Sequence, residues 1–211
     1  NYSDGEEFQT NATYHTTIYN EDLVNNLYVQ NGWMTMPNTG YFGVNGMSAV
    51  ESFYTYLNQS IEIVEGWGMI STYIQPENTN MSSVCAPLAD DNNLVIIKDQ
   101  DGLVFWPLFG LNSIGDIEIG EGYQIKVNSP DELVISGTLI PTTTPIHLSG
   151  WNIIAYLHRE PADVSYMMSP VVDNLVIIKD EDGFVYWPLF GLNSLGDMLP
   201  GKGYLIKTDG N

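Results

Sequence analysis

Cysteine, positive charge and long apolar runs are all scarce in this chain, and each scarcity removes a class of function. Cys85 is the only cysteine, so neither an internal disulfide nor a cysteine-built metal site can form. A solitary thiol reads as a small buried apolar residue and does not fix the compartment. Six Lys and Arg stand against 26 Asp and Glu, for a net charge of −20. A surface of that sign repels phosphate backbones and anionic bilayers, which argues against nucleic acid as a partner and against membrane insertion. It favours solubility and attracts cations such as Ca²⁺. No apolar stretch approaches the ~18 residues of a membrane helix. The chain opens at Asn1 with no signal peptide in view, as expected of a processed product or a piece of something longer.

Catalytic signatures are missing as well. His15, His147 and His158 fall in neither HxxxH nor HExxH spacing, and no GxSxG, P-loop or dinucleotide fingerprint occurs. The expectation is a protein that is not an enzyme and has no cofactor, Ca²⁺ being the one candidate ion.

What the chain does contain is a repeat. "NLVIIKDQDGLVFWPLFGLNSIGD" from Asn93 returns as "NLVIIKDEDGFVYWPLFGLNSLGD" from Asn174, and over 93–126 and 174–207 a gapless offset of 81 leaves 25 of 34 pairs identical. Upstream, Gly66–Trp67 answers Gly150–Trp151, so each unit opens alike. With 44% hydrophobic residues among 211, a packed core is within reach. The division read from this is an N-terminal cap or docking segment over 1–60, a first module over 61–140 and a second over 141–211.

Each unit reads as β. "NLVIIKD" is a β-branched apolar run of the kind that forms a buried strand, and the Asp-Gly after it predicts a tight hairpin into "LVFWP" or "FVYWP". Pro107 and Pro188 have no N–H to give a ladder and should end that strand. A Gly-x-Gly turn precedes the closing strand, "GYQIKV" or "GYLIKT". Pro87 and Pro170 limit any helix in the intervening segments to about two turns. The connector "PTTTPIHLS" should run from loop into strand and keep the modules packed or stacked. In the N-terminal segment, 13–19 alternates like a strand, 36–46 reads as a loop, and 47–60 shows helical spacing. The expected fold is therefore mainly β, two tandem small modules after a mixed α/β segment.

The repeated pattern resembles a module found in large secreted cell-surface proteins of Bacteroidetes-type bacteria and in tail-fibre or other virion structural proteins of aquatic phages. Pro145–Leu148, Gly150–Ile154, Asn174–Asp180, Gly183–Gly191, Asn193–Asp197 and Gly201–Lys207 carry it, with their counterparts in the first unit. The first unit departs at Asp116–Gln124, where the Pro-Gly turn kept at Pro200–Gly201 is missing. The resemblance implies an extracellular, cell-surface or virion setting and a role in structure or adhesion among protein neighbours, including copies of itself. It supplies no catalytic residues.

Two sets of residues are candidate sites. Trp106, Trp187, Tyr123 and Tyr204 recur at equivalent places, and exposed aromatic faces stack on sugars. The alternative to a structural role is thus a carbohydrate-binding module for surface glycans. Trp67 and Trp151, beside their glycines, read instead as core. Asp99 and Asp101, with Asp180 and Asp182, begin like an oxygen-rich calcium loop. The same residues serve equally as turn formers, because Asp caps and Gly bends.

Overall fold

The computed structural model describes the backbone of three short strands near the N-terminus and all of residues 57–209. The chain divides into two compact units, 1–53 and 54–211. In the first, β1 (Tyr28–Gln30), β2 (Trp33–Met36) and β3 (Gly40–Gly43) form an antiparallel sheet in that order. The loop expected over 36–46 is thus partly strand, Met36 pairing with Gly40. The strand expected over 13–19 lies outside the described residues, as does 47–56 of the expected helix.

The end of that helix is corrected. Leu57 to Ser60 belong to β4 (Leu57–Ile63), which pairs residue for residue with β11 (Asp131–Leu139). Gln59, Ile61 and Ile63 are buried while Asn58, Ser60 and Glu62 are exposed. A period of two over seven residues, with a partner strand to complete its hydrogen bonds, outweighs the helical spacing upstream.

The second unit holds both repeats and is mainly β. In the first repeat β5 (Gly66–Ser71), β7 (Leu94–Lys98), β8 (Val104–Trp106), β9 (Leu111–Asn112) and β10 (Gly122–Val127) form an antiparallel sheet of order β5-β10-β7-β8-β9. In the second, β12 (Trp151–Ala155), β14 (Leu175–Lys179), β15 (Val185–Trp187), β16 (Leu192–Asn193) and β18 (Gly203–Thr208) repeat that order. The hairpins are wider than a two-residue turn because an Asp side chain caps each. Asp99 Oδ1 accepts from the backbone N of Asp101 (2.9 Å) and Leu103 (2.8 Å), and Asp180 Oδ1 accepts from Asp182 (3.0 Å) and Phe184 (2.9 Å). Pro107 and Pro188 end their strands as expected, each opening a 3₁₀ turn closed by a left-handed Gly110 or Gly191.

The two cores are closed differently. In the first module Ile70, Ile97, Tyr123 and Ile125 pack against Ile61, Leu133 and Ile135 of a second sheet, β4-β11-β6 with β6 at Ile74–Pro76, and against Met81 and Leu88 of the short helices α1 (Met81–Val84) and α2 (Ala86–Asp90). In the second, Ile154, Ile178, Tyr204 and Ile206 meet Val164 of α3 (Val164–Met167) and Met198 of a two-stranded ribbon, β13 (Ala162–Asp163) with β17 (Asp197–Met198). The connector is not strand where "IHLS" suggested one. Ile146 tucks inward beside Gly120 and His147 faces solvent.

The modules join by reciprocal contacts, as about a twofold axis. Ser71 N donates to Gly201 O and Ala155 N to Gly120 O, each at 2.9 Å. Ile70 bridges Lys202 while Ile154 bridges Glu121. The crossing also holds a buried hydroxyl, since Ser71 Oγ donates to Lys202 O (2.6 Å) and accepts from Tyr156 N (3.1 Å). The Gly-x-Gly turns are the reason backbones can come this close. A Cβ on Gly122 would lie 2.8 Å from Ile154 O, and one on Gly203 would lie 2.9 Å from Ile70 O.

Those backbone oxygens cannot swing aside as a flexible side chain would. Gly122→Ala and Gly203→Ala are each expected to lower the unfolding free energy by ~1–3 kcal/mol. Gly68→Ala, whose added Cβ would meet nothing closer than Ile125 Cγ2 at 3.9 Å, should change it by less than ~0.5 kcal/mol. Urea denaturation followed by tryptophan fluorescence separates the two cases.

Candidate functional site

Three features of the two-module unit bear on function: an apolar corner on each module, a tryptophan–lysine cluster on each outer sheet face, and two clefts at the module junction. The corner follows from strand alternation and the 3₁₀ turn. Phe105 points into the core, which turns Trp106 to the other face, half-buried. Trp106 meets Phe109 edge-on at 4.7 Å, and Trp187 meets Phe190 at 4.6 Å. These contacts hold the turn while its tip stays in solvent, with Leu108 and Leu189 82% and 80% exposed and Phe109 and Phe190 both 67% exposed.

Trp67 and Trp151 are not core residues. They are 47% and 50% exposed, because alternation back from buried Ile70 and Ile154 places them on the outer face. Lys98 and Lys126 bring their ammonium groups to 5.0 and 5.8 Å from the Trp67 ring centre, and Lys179 and Lys207 to 5.9 and 5.7 Å from that of Trp151. Four of the chain's six cationic side chains are thus gathered on two rings, each contact contributing about 0.5–1 kcal/mol at such exposure. The signal was in the sequence, in a Gly-Trp and an Ile-Lys at matching places in both units. It needed the strand register, Trp67 opposite Lys126 and Trp151 opposite Lys207, to be read.

Of the residues named from sequence, Trp106 and Trp187 sit beside the exposed corners. Tyr123 and Tyr204 are buried, and their hydroxyls accept the backbone N–H of Glu118 (2.8 Å) and Leu199 (2.7 Å). They hold the loop before the Gly-x-Gly turn in place and offer no face to a ligand. Burial pushes the Tyr204 hydroxyl up to about 12, so it stays protonated. Asp99 and Asp180 direct an oxygen into their own turns, and Asp101 and Asp182 are exposed at the tips. Burial raises the Asp180 carboxyl above its ordinary value despite its two backbone donors. Among the described residues, no group of three or more His, Cys, Asp or Glu side chains is placed to hold a metal ion. Cys85 is buried and its thiol pushed up to about 12, which keeps it protonated and unreactive.

Each cleft lies where the hairpin base of one module faces the edge strand of the other. On one side Gln100 reaches β12, accepting at Oε1 from Asn152 Nδ2 (3.2 Å) and Ile153 N (3.1 Å) and donating through Nε2 to Glu121 (2.8 Å). On the other, Glu181 takes the place of Gln100 and Lys202 that of Glu121, and these two form an ion pair. The repeats thus keep a paired contact here while changing both partners. Sequence reasoning missed this pair because 100 and 121, or 181 and 202, become neighbours only through the sheet.

No family model, no curated protein and no solved structure matches this chain.

Glu121 sits half-sheltered among other carboxylates. Burial first, then Asp99, Glu118 and Asp101, raises its carboxyl above the ordinary value. A carboxyl raised in the folded state favours folding when protonated, and that advantage is lost as pH rises through its folded-state value. At neutral pH the ionised group is therefore a net cost. Glu121→Gln, which keeps an acceptor for Gln100, should raise stability at neutral pH, and the gain should shrink as pH falls through that value. Denaturant titrations across a pH series measure it. A less stable Glu121→Gln chain at neutral pH would mean that the charged bond to Gln100 outweighs the burial.

Proposed function

We propose that this chain is a non-enzymatic structural or adhesive component of an extracellular or virion surface, and that copies of it associate through the apolar corners at Leu108–Phe109 and Leu189–Phe190. The setting rests on the resemblance of the repeated pattern to surface and virion modules. The contact rests on one observation above all: the corner is exposed, held in shape, and retained identically in both copies. "PLFGLNS" occurs unchanged at 107–113 and 188–194, so these exposed residues are kept as strictly as the buried pairs Leu94/Leu175, Ile97/Ile178 and Ile125/Ile206.

Exposed leucine and phenylalanine side chains on a rigid turn are costly in water and mark interaction surfaces when they cluster. The Trp–Phe edge contact and the left-handed glycine pre-arrange them, so little ordering entropy opposes association. Two equivalent corners on one chain give it two hands. A corner-to-corner contact between copies uses the same patch on both sides, and two such contacts per chain extend into a fibre. With −20 on each copy, this association should strengthen as salt screens the repulsion. No helix among the described residues is long and apolar enough to cross a membrane.

Light scattering on the eluting chain, across concentration and salt, is the test. The wild type is expected to form species that grow with both. Leu108→Ser with Phe109→Ser, which removes one corner, should stop growth at dimers, and adding Leu189→Ser with Phe190→Ser should leave monomers. A wild type that stays monomeric throughout, or oligomers indifferent to these substitutions, would overturn the reading.

A further inference from the structure

The duplication supplies an internal control for one of the two clefts. Around Gln100 every polar atom has a partner, because Asn152 sends its side-chain amide across and Ile153 offers its backbone N–H. Around Glu181 the equivalent strand positions are Gly68 and Met69. Lys202 takes Glu181 Oε1, but Oε2 has no hydrogen-bond partner, although the side chain is only 10% exposed. Gly68 has no side chain to send across as Asn152 sends its amide opposite. What remains is a cleft of about 210 Å³ lined by Trp67, Met69, Gln124, Lys179, Asp180 and Leu205, with Gly68 and Glu181. A buried acceptor left without a donor carries its full desolvation penalty, so Oε2 calls for a hydrogen-bond donor.

We infer that this cleft binds one neutral sugar residue, with a ring hydroxyl donating to Glu181 Oε2 and the sugar's apolar face set against Trp67. Charge selects for neutrality from both directions. Lys98 and Lys126 stand over the Trp67 ring and Lys179 lines the cleft, which repels a cation from the aromatic wall. Asp180 and Glu181 repel an anion from the opposite wall. A polyol satisfies both walls, because each hydroxyl donates and accepts. Met69 and Leu205 supply apolar contact, and the Gln124 amide presents a donor and an acceptor. The volume is below the ~300–1,000 Å³ of pockets for drug-sized ligands, which suits a single ring at the end of, or within, a glycan. On the Gln100 side a cleft of about 300 Å³ is also open, but Asn152 and Ile153 already supply its donors and no buried acceptor there is left unpaired, so the chain takes one such residue, not two. The site shares no residue with the apolar corners and stands or falls separately from assembly through them.

The test uses the intact chain and a panel of neutral methyl glycosides: glucoside, galactoside, mannoside and N-acetylglucosaminide. Backbone-amide and indole resonances are followed by NMR during titration. The expected result is saturable one-to-one binding by at least one glycoside, with shifts at Trp67, Met69, Gln124 and Leu205. Trp67→Ala should weaken it at least about tenfold, the equivalent of ~1.4 kcal/mol. Gly68→Asn brings to this cleft the amide that Asn152 supplies to the other. It should abolish binding while the melting temperature holds or rises, which separates loss of the site from loss of the fold. Saturation by none of the glycosides would overturn the inference and leave the cleft to water. Binding that survives Gly68→Asn, or a stoichiometry of two, would overturn it by placing the sugar elsewhere. Binding retained in the chain with both corners substituted is expected, and keeps this result apart from the assembly test.

Discussion

Everything in the two-module unit depends on one close approach of backbones. Gly122 and Gly203 let β10 and β18 begin against the edge strand of the opposite module, with carbonyl oxygens at distances no Cβ tolerates. An edge strand is otherwise a row of unpaired donors and acceptors open to any passing strand. Here β5 and β12 give part of that row to each other's module through Ser71 with Gly201 and Ala155 with Gly120. The glycines thus do two things at once. They convert a liable edge into an internal contact, and they fix the relative placement of two sheets that share a topology.

Once that junction is set, the surroundings are free to differ. One copy closes its core with a three-stranded sheet, the other with a short helix and a ribbon. The polar pair at the junction has changed partners together, an amide with a carboxylate on one side and a carboxylate with an ammonium on the other. Both solutions keep a donor facing an acceptor, which is what a partly buried contact demands. Where only one partner changed, at Asn152 and Gly68, the pairing fails and an oxygen is left over. Asymmetry between equivalent sites is therefore the most informative feature of this molecule, because each site shows what the other lacks.

The outward features have the opposite character, being the same on both modules. The apolar corners and the tryptophan–lysine clusters sit on the face away from the cores, where packing does not dictate residue identity. Each corner is braced from beneath by its own tryptophan, and each exposed tryptophan is bracketed by lysines in a chain with few cations to place. Identical exposed surfaces on a twofold-like scaffold suit a chain that meets two neighbours in the same way. The single unsatisfied cleft suits a ligand met once.

The repeat, its β character, the strand ends at Pro107 and Pro188, and the short helices were all determined by local sequence, because turn chemistry and period-two runs act over a few residues. The same locality misled elsewhere. Leu57–Ser60 sat in a helical pattern, but pairing with residues more than seventy positions away made it strand. Trp67 and Trp151 beside glycines looked like core, yet the register turned them outward onto lysines. Tyr123 and Tyr204 looked like platforms, yet their strands face inward and their hydroxyls pin a loop. Which face a strand presents, and which of two equal carboxyl-side positions finds a donor, are settled only when distant strands are paired. Alternation within a strand is written in its residues, whereas the choice of inside and outside belongs to the partner it meets.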